Sequence, residues 1–269
     1  MNDTLPRIGF GTWKLKNDPD TTFIVEEAIR AGYALIDTAS SYQNEQAIGN
    51  AIARCDRSKI IVSGKLWNDD REDVAEACDR TIRNLKCEYL DVYLMHWPAS
   101  KAVHDDWEKI NLSVWRQMEE LVYSGKVRYI GVSNFKVNQL ESLMASCRIR
   151  PFVNQIEHHP GFNQQDIVEY CKTNNIIVQA WSPFRSGRSL KKKEVISVAG
   201  KYGRTPAQII LKWCIQDGII PIVKSTSPDR MRSNLDLDFE LSEEDMVFMN
   251  SLPYLGSSGL DSETLTLFG

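Results

Sequence analysis

Residues 60–96 contain the repeating unit that decides the fold, and they read IIVSGKLWNDDREDVAEACDRTIRNLKCEYLDVYLMH. The unit begins with an apolar, β-branched run at Ile60–Lys65 and ends with a second run at Val92–His96. Between the runs, residues recur with the i, i+3, i+4, i+7 spacing of one buried helix face, at Val74, Ala77, Cys78, Thr81, Ile82 and Leu85. A strand, a helix and a second strand in this order predict a parallel sheet.

The same alternation extends along nearly the whole chain. Six further strand-like runs are Arg7–Thr12, Leu35–Thr38, Tyr129–Val132, Phe152–Ile156, Ile177–Ala180 and Ile219–Val223. Helices are indicated by a second apolar stripe, by a capping box and by an acidic first turn, at Val137–Cys147, Thr205–Gln208 and Ser242–Asp245. Eight strand–helix units are what a closed barrel needs, and 269 residues fit one barrel. We therefore predict an α/β fold, a single-domain (β/α)8 TIM barrel over residues 1–269.

A doubly wound open sheet is the structural alternative. Its nucleotide-binding forms carry a glycine-rich turn of the pattern G-x-G-x-x-G after the first strand. The chain has one Gly-x-Gly, Gly9–Gly11, and it continues into Thr12, Trp13 and Lys14 without the third glycine. The sequence favours the barrel.

Composition excludes several classes of protein. The net charge of −4 leaves no basic excess for a phosphate backbone, so no nucleic-acid partner is expected. No run approaches the ~18 consecutive apolar residues of a membrane span, and Met1–Pro6 lacks the features of a secretory signal, which predicts a cytoplasmic protein. The six cysteines form no C-x-x-C pair, and His158 and His159 point to opposite sides of a strand, so no metal site is expected.

Reactive side chains follow three consecutive predicted strands. Asp37 ends the second strand, Tyr42 lies in the next loop, Lys65 ends the third strand and His96 ends the fourth. In a barrel the carboxyl ends of the strands build the active site. We expect these four side chains to converge on one pocket.

Such a cluster has a definite chemistry. A tyrosine has an ordinary pKa near ~10, and a neighbouring ammonium lowers that pKa by favouring the phenolate. Asp37 would keep Lys65 charged, Lys65 would lower the pKa of Tyr42, and His96 would donate a hydrogen bond to a substrate carbonyl. The cluster can deliver a proton but contains no electron source, so it needs a hydride donor.

Taken singly, each residue also has an ordinary structural interpretation. A tyrosine after a strand commonly packs, a lysine at a strand end is commonly solvated or ion-paired, and a histidine such as His96, beside Trp97 and Pro98, commonly has a structural role. Four of them at consecutive strand ends favour the catalytic interpretation.

The chain resembles the aldo-keto reductases over nearly its whole length, especially the prokaryotic type that includes diketo-gluconate reductases and prostaglandin F synthase-like enzymes. The segments that carry the resemblance are Gly9–Trp13, Gly32–Ala39, Tyr42–Glu45, Gly64–Asn68, Leu94–Pro98, Gly131–Phe135, Val153–Glu157, Trp181–Pro183, Val223–Thr226 and Arg230–Asn234. The resemblance implies NADPH-dependent reduction of aldehydes or ketones, with the catalytic tetrad of the family on the four residues chosen above.

The resemblance also implies where NADPH or NADP+ lies. Ser133, Asn134 and Gln155 would hold the nicotinamide carboxamide, and Trp181 would stack on the nicotinamide ring. Further implied cofactor contacts are Gly11, Thr12, Trp13, Asp37, Ser182, Pro183, Ser225 and Thr226.

The segment after the eighth predicted strand could bind the 2′-phosphate of NADPH. Ser227 can cap a helix whose first residue is Pro228, which exposes amide donors at the positive end of a helix dipole. Lys224 and Arg230 add two cations, which suits a phosphate monoester as well as a solvated basic helix start. With the resemblance, this segment is similar to the adenosine 2′-phosphate site, and Asn234 would contact adenine.

The substrate pocket is expected to have aromatic walls. Trp13, Trp67 and Trp97 follow the first, third and fourth strands, and with Tyr42 and His96 they would bind a moderately apolar aldehyde or ketone. Packing at the barrel top is the alternative for each tryptophan.

Several segments depart from the family pattern. The amino-terminal hairpin at the barrel bottom is shortened, and Ser233 replaces a frequent glutamate beside adenine. Arg185 has two interpretations, a pyrophosphate contact or a solvent-facing side chain. The tail Ser257–Gly269 is expected to be able to fold over the pocket.

Two rival functions stay open on the sequence alone. A Schiff-base aldolase would use Lys65 as its nucleophile. A sensor or structural barrel would bind NADPH without turnover. The resemblance implies a monomer.

Overall fold

Eight parallel strands form one closed barrel in the computed structural model, which describes residues 5–264. The strands are β1 Gly9–Gly11, β2 Leu35–Asp37, β3 Ile61–Leu66, β4 Leu90–Met95, β5 Val127–Ser133, β6 Val153–Glu157, β7 Ile177–Trp181 and β8 Ile220–Val223. Each strand pairs with the next in sequence, and β1 closes the barrel by pairing Phe10 with Val223 of β8. The predicted barrel is confirmed, and the open-sheet alternative is wrong.

Ten α-helices surround or flank the barrel in the described residues. They are α1 Pro19–Ala31, α2 Glu45–Ile52, α3 Val74–Asn84, α4 Trp107–Tyr123, α5 Val137–Met144, α6 Gln165–Thr173, α7 Lys193–Tyr202, α8 Pro206–Gln216, α9 Pro228–Leu235 and α10 Glu243–Asn250. The predicted start signals are found where expected. Thr205 and Gln208 form a capping box at α8, and the Ser242 hydroxyl accepts from the Asp245 amide at α10. None of these helices within 5–264 combines the length and apolarity needed to cross a bilayer.

β4 begins at Leu90, two residues before the predicted start at Val92. The prediction began too late because the charged residue Asp91, which interrupts the apolar run, lies inside the strand. Asp91 is 3% exposed and accepts from the Val62 amide at 2.9 Å and from the guanidinium groups of Arg57 and Arg128 at 2.6 and 3.0 Å. A fully paired carboxylate can be buried in a sheet. The charge therefore interrupts the apolar pattern in the sequence but not the strand.

The barrel interior has an apolar lower layer. Leu5 lies at the amino-terminal end of the strands, where it packs with Ile61 and Ile177 against the buried side chains of Val92 and Val153. Within 5–264 no strand precedes β1, so this single leucine takes part of the space that a hairpin would cover.

The upper layer of the interior is polar. Buried side chains of β2, β3, β6 and β7 at this level are Asp37, Ser63, Lys65, Gln155 and Gln179. Side chains along a strand alternate between the two faces of the sheet, so these residues point into the barrel. The polar layer faces the carboxyl ends of the strands, where the site is built.

Candidate active site

The four predicted catalytic residues converge at the barrel mouth. Lys65 is fully buried, and its ammonium donates to Asp37 Oδ2 at 2.6 Å and to the Thr38 carbonyl at 2.9 Å. The same ammonium lies 3.5 Å from the Tyr42 hydroxyl. The Tyr42 and His96 rings meet edge to face, with their centroids 5.7 Å apart. The predicted chain from carboxylate to ammonium to phenol is present.

Local structure explains why Tyr42 reaches this position. β2 ends at Asp37, and the chain then makes a 3-10 turn at Ser40–Tyr42, which Gln43 ends in the left-handed region at φ 55°. The Ser40 hydroxyl donates to the Lys65 carbonyl at 3.2 Å and fastens this turn to β3. The turn thereby sets the phenol above the ammonium.

Charge balance decides the protonation state of Lys65. Burial by itself would lower the pKa of the ammonium, but Asp37 and Tyr42 together outweigh it and raise the pKa above its ordinary value. Lys65 is therefore a cation at neutral pH.

The direction of the pKa shift at Tyr42 was predicted wrongly. Burial of the phenol raises its pKa, and Lys65 opposes that increase without reversing it. Desolvation penalises the phenolate more than a single ammonium stabilises it at this distance. Tyr42 is thus protonated at neutral pH, which is the state that a proton donor needs.

His96 is neutral at neutral pH. Burial, and then the charge of Lys65, hold its pKa well below the ordinary value. Its Nδ1 lies 3.5 Å from the Ser41 hydroxyl, and the Trp67 ring packs edge to face against it with centroids 5.2 Å apart. A neutral imidazole held between these groups can donate one hydrogen bond to a carbonyl oxygen.

A buried polar chain behind Asp37 was missed by the sequence analysis. Asp37 Oδ1 accepts from the Ser63 hydroxyl at 3.1 Å and from Gln155 Nε2 at 3.0 Å. Gln155 Nε2 also donates to Gln179 Oε1 at 2.8 Å. A glutamine inside the otherwise apolar run Ile177–Trp181 was the available signal, because strands of parallel sheets are normally apolar on both faces.

Ser133, Asn134 and Trp181 lie together at the ends of β5 and β7. The Ser133 hydroxyl donates to the Gln155 carbonyl at 2.8 Å, and Asn134 Nδ2 donates to the His96 carbonyl at 3.0 Å. Trp181 Nε1 donates to Asn134 Oδ1 at 2.8 Å, and its indole is half-buried. The three residues assigned to the nicotinamide are thus joined to the tetrad.

Basic side chains follow β8, as predicted. Lys224 and Arg230 are exposed, and neither forms an ion pair with any residue of 5–264. Ser227 caps α9 by accepting from the Arg230 amide, and the Met231 amide donates to the Ser227 carbonyl at 3.0 Å. Because Pro228 has no N–H, the Asp229 amide is the one first-turn donor of α9 without a partner in the helix. Asn234 is buried near Tyr33, whose hydroxyl donates to the Met231 carbonyl at 3.4 Å.

The other residues assigned to the cofactor frame this mouth. Gly11 and Thr12 are buried, and the Thr12 hydroxyl donates to the Asp37 carbonyl at 3.0 Å. Pro183 and Ser225 are buried, and Ser182 adopts a left-handed backbone at φ 55°. Thr226 is exposed.

The three predicted wall tryptophans have different surroundings. Trp97 is buried and lines a cavity of about 460 Å³, together with Trp181, Asn134 and residues of the carboxyl-terminal segment. Trp67 lines a neighbouring polar groove of about 500 Å³. Trp13 is 51% exposed, and the Lys14 ammonium lies 4.2 Å from its ring centroid.

The carboxyl-terminal segment, residues 252–264, borders the cavity. The tail was predicted to fold over the pocket from Ser257 onward, and its described part does lie beside the cavity. Residues 265–269 of the tail lie outside the described residues. The buried Glu157 carboxylate accepts from the Ser258 amide and hydroxyl at 2.8 and 2.7 Å. Lys136 forms ion pairs with Asp261 and Glu263 at 2.8 and 3.0 Å.

Arg185 also holds this segment. Its guanidinium donates to the Leu255 carbonyl, and the side chain is half-buried. Arg185 is thus partly exposed and in contact with the carboxyl-terminal segment, and its predicted contact with the pyrophosphate stays a prediction. The contact with Leu255 could not be read from the sequence, because the two residues lie 70 positions apart.

Comparison with known proteins agrees with this geometry. Residues 7–252 match the family described as "Aldo/keto reductase family". The chain is 38% identical over 253 residues to a glyoxal reductase of Bacillus subtilis, covering 92% of this chain and 89% of that protein. It is 41% identical over 256 residues to a 9,11-endoperoxide prostaglandin H2 reductase of Trypanosoma cruzi, covering 92% and 88%.

Solved structures show the same barrel. MGS-M4, described as an aldo-keto reductase from a Medee basin deep-sea metagenome library, superposes with a TM-score of 0.91 at 36% identity, covering 98% of this chain and 97% of that one. A variant of Gox0644 solved in complex with NADPH superposes with a TM-score of 0.89 at 36% identity, covering 97% and 94%.

Proposed function

This chain belongs to the aldo/keto reductase family, and we propose that it reduces aldehydes or ketones to alcohols with NADPH, using Tyr42 as the proton donor. The observation that carries the proposal is the contact of the buried Lys65 ammonium with both Asp37, at 2.6 Å, and the Tyr42 hydroxyl, at 3.5 Å. A structural lysine would need only the carboxylate.

The residues present suit a nicotinamide dinucleotide phosphate. Trp181 offers a half-buried aromatic face at the mouth, beside the amide of Asn134. Lys224 and Arg230 are exposed cations beside the first turn of α9, and they find no counter-ion within residues 5–264. Two unpaired cations next to the free Asp229 amide favour a phosphate monoester. The relative solved with NADPH adds support.

Each side chain then has one task. His96, being neutral, donates a hydrogen bond to the substrate oxygen and orients the carbonyl carbon toward the mouth. The Tyr42 hydroxyl gives its proton to that oxygen, and the positive charge of Lys65 stabilises the phenolate that remains. Asp37 holds the ammonium in place. When bound, NADPH supplies the hydride that the carbonyl carbon accepts, so the products are an alcohol and NADP+.

The cavity of about 460 Å³ beside Trp97 is lined by Asn134 and Trp181 and by none of the four tetrad side chains, so its volume does not measure the space for the substrate. The substrate class is therefore proposed from the relatives, of which one is named for glyoxal. The relatives named for glyoxal and for a prostaglandin endoperoxide differ greatly in substrate size. We propose that small aldehydes and ketones are preferred.

Lys65 is poorly suited to a Schiff base. An amine must lose its proton before it attacks a carbonyl, and the pKa of Lys65 is raised by Asp37 and Tyr42 against the opposing effect of burial. We therefore place the aldolase below the reductase. A barrel that binds NADPH without turnover has the same cofactor residues and is separated from the reductase by assay alone.

The experiment follows NADPH absorbance against a panel of aldehydes, ketones, keto-sugars and steroids. We expect turnover of small carbonyls, and we expect Tyr42→Phe to lower kcat by roughly 100- to 10,000-fold with little change in NADPH affinity. NADPH binding without turnover of any carbonyl would favour the sensor. Borohydride trapping of substrate on Lys65 without NADPH oxidation would favour the aldolase.

Two further expectations belong to this proposal. We infer that residues 1–269 act as one domain and that the protein works as a cytoplasmic monomer without a nucleic-acid or membrane partner. Sedimentation velocity at micromolar concentration tests the oligomeric state, and a dimer would contradict it.

A further inference from the structure

We propose that Gln179 is a positioning residue for the reduction: it fixes the side-chain amide of Gln155, which joins Asp37 to the nicotinamide site. The inference rests on the proposed function and extends it to a residue one layer below the tetrad. Gln179 is fully buried in the middle of β7, two residues before Trp181.

The side-chain amide of Gln155 has one orientation that satisfies its neighbours. Its Nε2 donates one hydrogen to Asp37 Oδ1 at 3.0 Å and the other to Gln179 Oε1 at 2.8 Å. An amide nitrogen has two hydrogens, and both are used. The reverse orientation would set an amide oxygen against the Asp37 carboxylate. Two acceptors on one side therefore fix which way the Gln155 amide points.

The same hydrogen bond sets the orientation of the Gln179 amide. Because its Oε1 accepts from Gln155, its own Nε2 must face away, and that atom has no hydrogen-bond partner among the residues the structure describes. Leaving a buried donor without a partner is unfavourable. An apolar side chain would pack at this position without an unpaired donor. We therefore infer that the glutamine is present because its Oε1 accepts the hydrogen bond from Gln155.

The Gln155–Gln179 pair contacts both the Asp37–Lys65 ion pair and the residues proposed for the nicotinamide. Asp37 accepts from Gln155 on one carboxylate oxygen and from Lys65 on the other, at 2.6 Å. The backbone carbonyl of Gln155 accepts from the Ser133 hydroxyl at 2.8 Å. Since Ser133, Asn134 and Gln155 are the residues assigned to the nicotinamide carboxamide, the amide of Gln155 relates the position of that ring to the position of the ammonium.

The test compares the binding of two nucleotides to Gln179→Leu and Gln179→Glu. NADP+ carries the nicotinamide, and 2′,5′-ADP carries only the adenosine half. We expect Gln179→Leu to weaken NADP+ binding roughly tenfold, because Gln155 loses an acceptor, and to leave 2′,5′-ADP binding unchanged. Gln179→Glu is expected to stay protonated, because it would be buried close to the Asp37 carboxylate. Its carbonyl oxygen then keeps an acceptor for Gln155 and should restore most of the NADP+ affinity.

Steady-state kinetics provide a second measurement. With Gln179→Leu we expect KM for NADPH to increase and kcat to fall together, since both the ring and the Asp37–Lys65 pair lose alignment. Gln117→Leu is the control, because Gln117 is a partly buried glutamine of α4 that hydrogen-bonds the Val74 amide and the Arg71 carbonyl outside the barrel interior. It should lower stability without changing either nucleotide affinity.

Several results would overturn the proposal. Equal weakening of NADP+ and 2′,5′-ADP by Gln179→Leu would show a general loss of structure, and unchanged NADP+ binding would show that Gln155 needs no support. If Gln179→Leu does not fold, Gln179→Met, which keeps the length of the side chain without the acceptor, must show the same selective loss. A wild-type chain that neither binds NADPH nor reduces carbonyls would instead refute the proposed function.

Discussion

Removing the negative charge of Asp37 tests the electrostatic basis of the site. In Asp37→Asn the shape of the side chain is kept, but the fully buried ammonium of Lys65 loses the carboxylate at 2.6 Å. The direct attraction is about 6 kcal/mol at an effective dielectric constant of roughly 20. Measured losses for breaking a buried pair are smaller, about 3–5 kcal/mol, because the stranded group relaxes or changes its protonation state.

The pH dependence makes this prediction specific. Without Asp37, burial dominates and lowers the pKa of Lys65 below that of an unfolded lysine, whereas in the wild type the pKa is raised. A base with a lowered pKa loses folding stability as the pH falls, since the unfolded chain binds the proton more readily. The deficit of the variant should therefore be largest near pH 6 and shrink toward pH 9.5, by up to about 1.4 kcal/mol per pH unit.

Urea unfolding at both pH values measures the effect, with Glu240→Gln as the control. Glu240 pairs with the buried Lys212 at 2.6 Å, but its own side chain is 70% exposed. An exposed partner contributes about 1 kcal/mol or less. A loss of less than 1 kcal/mol for Asp37→Asn at pH 6, or a deficit that does not change with pH, would refute the reasoning.

Three further outcomes follow from the same structure. Lys224→Met should weaken NADPH binding roughly tenfold and leave NADH binding unchanged, since only NADPH carries the 2′-phosphate; equal effects in a fluorescence titration would contradict that role. Gly49→Ala should destabilise the fold by about 1–3 kcal/mol, because the added Cβ would lie 2.3 Å from the Asn84 carbonyl oxygen. Gly200→Ala, where the added Cβ of α7 meets open space, should stabilise the fold by about 0.5–1 kcal/mol. Similar urea unfolding midpoints for the two variants would contradict both predictions. Burial lowers the pKa of His158 to about 3, so the free energy of unfolding should fall as the pH drops from 6.5 to 5, by up to about 1.4 kcal/mol per pH unit from this residue. His158→Asn should make this pH dependence less steep in urea unfolding experiments. An unchanged pH dependence in the variant would contradict a buried neutral imidazole.

The barrel was predictable because its signal is repeated. Each strand–helix unit shows the same kind of pattern as residues 60–96. An error at one strand, such as placing the start of β4 at Val92 and not at Leu90, therefore does not change the number of strands. The positions of Asp37, Lys65 and His96 were predictable for the same reason. Once the strand ends are known, a parallel barrel brings them together.

What could not be predicted depends on depth and on distant contacts. The pKa of Tyr42 is raised because burial outweighs Lys65, and the degree of burial is not written in the residues around position 42. Gln179 and Arg185 act through partners far away in the chain, Gln155 and Leu255. Such contacts follow from the closed barrel, and the periodicity of a single strand contains no information about them.

The apolar lower layer around Leu5 has a consequence for proton exchange between the site and water. Below Lys65 the lumen is filled by apolar side chains such as Leu35, Ile61 and Ile177. This packing favours proton exchange with bulk water at the upper rim, where Tyr42 and His96 lie. Under the proposed mechanism, the Tyr42 phenolate would regain its proton after each turnover at the same opening by which the alcohol leaves.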